Sequence, residues 1–132
     1  MEATIGRTEI QATVQGPNGT RRFTFLVDTG STFLGLPMSD IEALGLPMIV
    51  GGGHRVMTAA GIIEEDSFSG AVRIGDEQMP AIVTEAPIPL IGYEILENMK
   101  FRVNPVSQEL ERVSDDKASP PFRLQKTLQT SI

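Results

Sequence analysis

The stretch Phe23-Thr24-Phe25-Leu26-Val27-Asp28-Thr29-Gly30-Ser31-Thr32 decides how the rest of the chain is read. An apolar, β-prone run ends in an acid, a hydroxyl and a glycine. Its last half is apolar on both faces, so the strand enters the interior before it reaches Asp28. A tight turn there lifts a carboxylate off the strand's end. A carboxylate so placed can be a catalytic acid or base, a metal ligand or a plain turn former. Asp-Thr-Gly alone favours the turn former, because aspartate commonly builds side-chain turns.

Working outward, Thr4 to Gln15 alternates. Ile5, Ile10, Ala12 and Val14 are set among Arg7, Glu9, Gln11, Thr13 and Gln15, which predicts a half-buried strand. Gly16-Pro17-Asn18-Gly19 follows, and Asn-Gly predicts a tight turn there, because both residues tolerate positive φ. Arg21 to Val27 is then the second arm of a hairpin. Downstream of Asp28, Phe33-Leu34-Gly35-Leu36 reads as a short apolar strand. Pro37 to Gly45 reads as a short helix. Ser39 is placed to cap it with Glu42 three residues on, Gly45 suits a left-handed stop, and Pro47 blocks continuation.

Gly51-Gly52-Gly53 is a flexible link. His54 to Thr58 and Ile62 to Ile74 read as strands joined at Ala59-Ala60-Gly61, with a turn at Gly75-Asp76 leading to Met79 to Thr84. Ile88-Pro89-Leu90-Ile91-Gly92 is a second buried strand ending in glycine. Tyr93 to Met99 is helical, with Ile95, Leu96 and Met99 on one side. Phe101 to Asn104 and Glu109 to Val113 form a last hairpin about Pro105. Strands dominate beside two short helices, so the class is mostly β. Residues 1–113 are expected to form one domain. Residues 114–132, rich in Asp, Ser, Pro and Gln, are expected to be a poorly ordered polar tail.

The totals narrow the function. A chain of 132 residues with 40% hydrophobic side chains can bury one ordinary core. The net charge of −6 argues against nucleic acid as a partner. Without cysteine there is no disulfide, no thiolate metal site and no cysteine nucleophile, which suits a cytoplasmic location. Met1-Glu2-Ala3-Thr4 does not read as a signal peptide, and no run reaches the roughly 20 apolar residues of a membrane span. His54 is the only histidine, and no motif supports it as the base of a Ser-His-Asp site. Gly51-Gly52-Gly53 lacks the lysine of a phosphate loop. Glu64-Glu65-Asp66 reads as a solvated acidic strand face.

Two segments, Leu26-Val27-Asp28-Thr29-Gly30-Ser31 and Pro89-Leu90-Ile91-Gly92-Tyr93-Glu94-Ile95-Leu96, resemble the catalytic turn and the downstream apolar-Gly-helix segment of the retropepsin-like aspartic peptidases. Order and spacing match over about residues 4–113. The resemblance implies an acid-protease fold, a closed β-barrel with one lobe per chain. It implies an aspartic endopeptidase that needs two carboxyls, one ionised to take a proton from water and one protonated to polarise the scissile carbonyl. No second acid in the chain follows a buried strand with Thr-Gly or Ser-Gly after it. The partner must therefore be Asp28 of a second copy, in a homodimer. No metal and no cofactor is expected.

By the same match, Thr29 would bond across the dimer, and Gly30 would bring its N–H to the carboxylate. The Ser31 hydroxyl would bond that carboxylate and favour its ionised form. The hairpin tip Ala59-Ala60-Gly61 falls where the family carries a flap that closes over an extended peptide substrate. The alternative is a chain that keeps the fold as a non-catalytic dimerisation or peptide-binding module.

Overall fold

The structure is a computed structural model that describes residues 8–51 and 53–113. The beginning of the expected first strand and the expected tail at 114–132 lie outside the described residues. So do Gly52 and the side chains of His54, Val56 and Thr58.

The first hairpin sets the core. Strands β1 (Glu9–Gly16) and β2 (Gly19–Asp28) pair antiparallel from Glu9↔Leu26 to Gly16↔Gly19. Alternation sends Ile10, Ala12 and Val14 inward from β1, and Phe23 and Phe25 inward from β2. The two phenyl rings meet at 5.6 Å and a 56° tilt, within the favoured range for aromatic pairs. Phe25 is fully buried, which contributes about 1.5–3 kcal/mol over leaving it in water.

The hairpin turns at the expected Gly16-Pro17-Asn18-Gly19. Pro17 and Asn18 form the corner, between the paired Gly16 and Gly19, and only Gly19 takes a positive φ, of 136°. Asn18 is held instead by the helix that follows: its backbone N–H donates to Leu44 O at 3.1 Å and its side-chain amide to Ala43 O at 3.3 Å. That capping contact outweighs the local preference of Asn for a left-handed corner.

Strand β3 (Leu34–Leu36) is wholly buried and leads into helix α1 (Met38–Leu44). The expected Ser39 cap is not formed. The helix begins two residues earlier, with Pro37 at the cap position and Pro37 O accepting from Asp40 and Ile41. Gly45 ends the helix at φ 69°, as expected, and returns its N–H to Glu42 O.

The following strands are β4 (His54–Thr58), β5 (Gly61–Glu65), β6 (Phe68–Ile74) and β7 (Glu77–Glu85). The single strand expected over Ile62 to Ile74 is broken at Asp66-Ser67. Tertiary contacts break it. Ser67 O accepts from Ile49, Ser69 N–H donates to Pro47 O, and Phe68 bridges Met48. These bonds pull β6 into the barrel while β4 and β5 pair only with each other.

Strand β8 (Leu90–Gly92), helix α2 (Tyr93–Asn98) and the hairpin β9 (Phe101–Val103) with β10 (Leu110–Arg112) complete the described chain. Ile95, Leu96 and Met99 are buried, as the helical spacing predicts. The barrel closes in the order β1-β2-β8-β3-β7-β6, with β6 returning to β1. Its interior is filled by Val14, Phe25, Leu34, Leu36, Val72, Val83 and Ile91. Among the described residues no helix is long and apolar enough to cross a membrane.

The place of β8 matters most. It pairs parallel with β2 and antiparallel with β3, so it lies between two strands that are consecutive in sequence. The link from β2 to β3, residues 29–33, must therefore arch across the end of β8.

Candidate active site

Asp28 is the last residue of β2 and stands opposite Gly92, the last residue of β8. Beyond it the chain makes a tight turn in which Ser31 N–H donates to Asp28 O at 3.3 Å. The Gly30 N–H donates to the Asp28 side chain, at Oδ1, over 3.1 Å. A turn-forming aspartate makes this same pair of bonds. What separates Asp28 from a plain turn former is its surroundings: it lines a cleft of about 600 Å³.

The arch fits only because β8 ends in glycine. A Cβ at Gly92 would lie 2.3 Å from Ser31 O and 3.0 Å from Phe33 N. Gly92 N–H donates to Phe33 O at 3.0 Å, tying the end of β8 to the far foot of the arch. The apolar run before Gly92 supplies Ile91, fully buried beneath the site. The two sequence segments that resembled one family are thus brought together in space, one folded over the other.

Cleft walls come from three places. The turn gives Asp28, Gly30, Ser31, Thr32 and Phe33. The β4–β5 hairpin gives Arg55, Met57 and Glu65. The end of β7 and the link into β8 give Thr84, Glu85, Ala86, Pro87 and Leu90, beside Gly35 of β3. Leu90 belongs to the second sequence segment. Arg55, Met57, Glu65 and Thr84–Pro87 were not foreseen as site residues. Their place in the cleft depends on how the hairpin folds back, which no local pattern announces.

The expected residues divide. Thr29 is exposed, and its hydroxyl has no partner among the described residues. Gly30 makes the expected bond, yet a Cβ there would stand 3.8 Å from Asp28 Oδ1, an ordinary contact. Within one chain, then, the bond does not require glycine. Ser31 lines the cleft, but its hydroxyl does not bond the carboxylate. Its Oγ accepts from Phe33 N–H at 3.1 Å and faces Phe33 O at 3.3 Å, so it stiffens the arch instead. The two-residue spacing makes this local bond the nearer choice for a serine. Ala59 and Ala60 are exposed at the tip of the β4–β5 hairpin, with Gly61 at φ 121° beginning β5. None of the three lines the cleft.

Among the described residues no second carboxylate bonds Asp28, and no group of three or more His, Asp or Glu could hold a metal ion.

A six-stranded closed barrel with an Asp-Thr-Gly arch over a glycine-ended strand is a retropepsin-like fold. A profile of the aspartyl protease family matches residues 10–95, and the chain belongs to that family. Solved structures agree on the fold. The chain is similar to EIAV protease, solved with the inhibitor HBY-793, at 17% identity and a TM-score of 0.53, over 75% of this chain and 93% of that one. It is also similar to a retropepsin-like aspartic protease from Rickettsia conorii, at 24% identity and a TM-score of 0.55, over 78% and 80%. No sequence among curated proteins matches it.

Proposed function

We propose that this protein is an aspartic endopeptidase acting as a homodimer, with Asp28 of each copy supplying one of two catalytic carboxyls. The observation that carries this reading is the placement of Asp28. It lines a cleft, braced by Gly30 N–H, with no second carboxylate bonded to it among the described residues. The reaction needs a pair. One carboxylate accepts a proton from water while the other carboxyl donates a hydrogen bond to the scissile carbonyl. Water adds to the carbonyl carbon, and the tetrahedral intermediate collapses as the amine leaves with a proton. No bond to the enzyme forms.

Two further features favour a second copy beside the turn. Thr29 is exposed and its hydroxyl has no partner among the described residues, which leaves it free to bond across a two-fold axis. Among the described residues nothing near Gly30 excludes a side chain, so close approach from outside the chain would account for the glycine. The β4–β5 hairpin would serve as the flap, with its Met57 and Arg55 over the peptide. On this reading residues 1–113 are the peptidase domain.

The test is hydrolysis of a peptide library at acidic pH by the wild type and by Asp28→Asn, with sedimentation under the same conditions. The expected result is a dimer that cleaves and a variant dimer that does not. Cleavage retained by Asp28→Asn, or full activity in a monomer, would overturn the proposal.

A further inference from the structure

Away from the cleft, the outer face of the barrel carries an unusual row. Thr13 on β1 is the register partner of Arg22 on β2 and of Arg73 on β6. Gln78 on β7 is in turn the partner of Arg73. Their strand neighbours Ala12 and Val14, Phe23, and Val72 and Ile74 are buried, so alternation turns the row outward. Arg22 and Arg73 are both exposed, one strand apart on either side of Thr13. Two strand spacings put their Cα atoms about 10 Å apart, within reach of two long side chains leaning toward each other. Together with Gln11, Ala12, Thr13 and Gly75 they line a hollow of about 220 Å³.

This pair is unbalanced. Among the described residues Arg21 pairs with Asp40, Arg102 with Glu111 and Arg112 with Glu77, whereas Arg55, on the separate β4–β5 hairpin, has no carboxylate. Among the described residues Arg22 and Arg73 have none. Arg73 reaches only a backbone oxygen, Gly75 O, at 3.2 Å. In a chain of net charge −6, two arginines around one hydroxyl with no acid between them form a local positive site against the general field.

We infer that the Arg22–Thr13–Arg73 hollow is an oxyanion site whose ligand is a phosphate group. Two guanidinium groups match a dianion in charge, and each presents a planar fork that suits phosphate oxygens. The Thr13 hydroxyl between them supplies a third donor. A tetrahedral ion offers oxygens to all three strands at once, whereas a carboxylate with two oxygens leaves one donor unanswered. At roughly 30 Å³ per water, the hollow has room for such an ion and several waters. The phosphate is either a free ion or a monoester carried on a peptide. In the second case the site would hold part of a protein substrate away from the cleft, and that consequence alone rests on the peptidase reading.

The test is a titration of the full chain followed by NMR, reading the backbone amide of Thr13 and the side-chain Nε–H of Arg22 and Arg73. Inorganic phosphate should shift all three with a saturating, millimolar response, and sodium chloride at the same ionic strength should not. Arg22→Gln or Arg73→Gln should weaken the response about tenfold, the worth of one charge-assisted contact. Arg21→Gln, beside them but tied to Asp40, should leave it unchanged. O-phosphoserine in place of phosphate separates the sources: tighter binding assigns a peptide-borne group, and equal binding assigns the free ion. Failure to saturate, an equal response to chloride, or a response that survives Arg22→Gln/Arg73→Gln would overturn the inference. None of these readouts depends on hydrolysis, so the site and the peptidase reading can fail separately.

Discussion

Asp28 and Gly92 face each other as the last residues of two parallel strands, and the chain leaving Asp28 crosses directly over Gly92. The glycine is therefore part of what aims the carboxylate. Gly92→Ala would force a methyl group to within 2.3 Å of Ser31 O, a backbone atom that cannot swing aside. Overpacking of this kind costs about 1–3 kcal/mol. We expect a lower urea midpoint, together with loss of hydrolysis even in the folded fraction, because the arch must lift. Urea unfolding beside an activity assay checks both, and unchanged stability would mean that the arch is slack.

Gly30 gives the opposite expectation. A methyl group there meets nothing closer than Asp28 Oδ1 at 3.8 Å. Gly30→Ala should leave unfolding free energy within about 0.5 kcal/mol. If a second copy or a substrate approaches Asp28 closely, the same change should cut hydrolysis about tenfold or more. Normal activity in a normally stable Gly30→Ala would show that the approach is open.

Much of this layout was legible in the residues. The alternation of β1, the two apolar strands that end in Asp28 and Gly92, the stop at Gly45 and the buried side of α2 follow from period and turn chemistry, and the structure has them all. What failed to read had a distant cause. Asp40 follows Ser39 into the first turn and meets Arg21, so the helix start answers to β2 as well as to its own cap. The break at Asp66-Ser67 is set by the segment Pro47–Ile49. Likewise Arg55 and Glu85 enter the cleft from elements thirty residues apart in sequence, and no spacing rule joins them.

Ser31 shows how a family likeness can mislead at one atom. The hydroxyl is hydrogen-bonded to the backbone of Phe33 and not to the carboxylate of Asp28. Ser31→Ala should leave the shape of the pH–activity profile unchanged. It should lower stability by about 0.5–1.5 kcal/mol through the lost acceptor for Phe33 N–H. A profile displaced along the pH axis would return the hydroxyl to the carboxylate.

Asp28→Asn should fold and dimerise normally, since the amide is nearly the same size and can still accept from Gly30 N–H. It cannot serve as the ionised base. Mixed in equal amount with wild type and allowed to exchange, it should reduce total activity to about half, because mixed dimers hold only one working carboxyl. No reduction would mean that each chain works alone.

The β4–β5 hairpin should be the first part of the described chain to open. Among the described residues its two strands pair only with each other, each on one side, while every barrel strand is paired on both sides. Little apolar burial holds it: Met57 is 76% exposed, Ile62 59% and Ile63 45%. By contrast Val14 on β1 and Val72 on β6, partners in the barrel, are both fully buried. Few buried contacts mean a low opening free energy, so amides of β4 and β5 should exchange with deuterium about a hundredfold faster than those of β1 and β6. A peptide bound in the cleft would lie against Met57 and Arg55, and should slow the hairpin amides while leaving the barrel unchanged. Hydrogen exchange with and without a non-cleavable peptide measures both effects. A hairpin as protected as the barrel in the free protein would remove it as a flap, and a hairpin indifferent to the peptide would separate it from the cleft it overhangs.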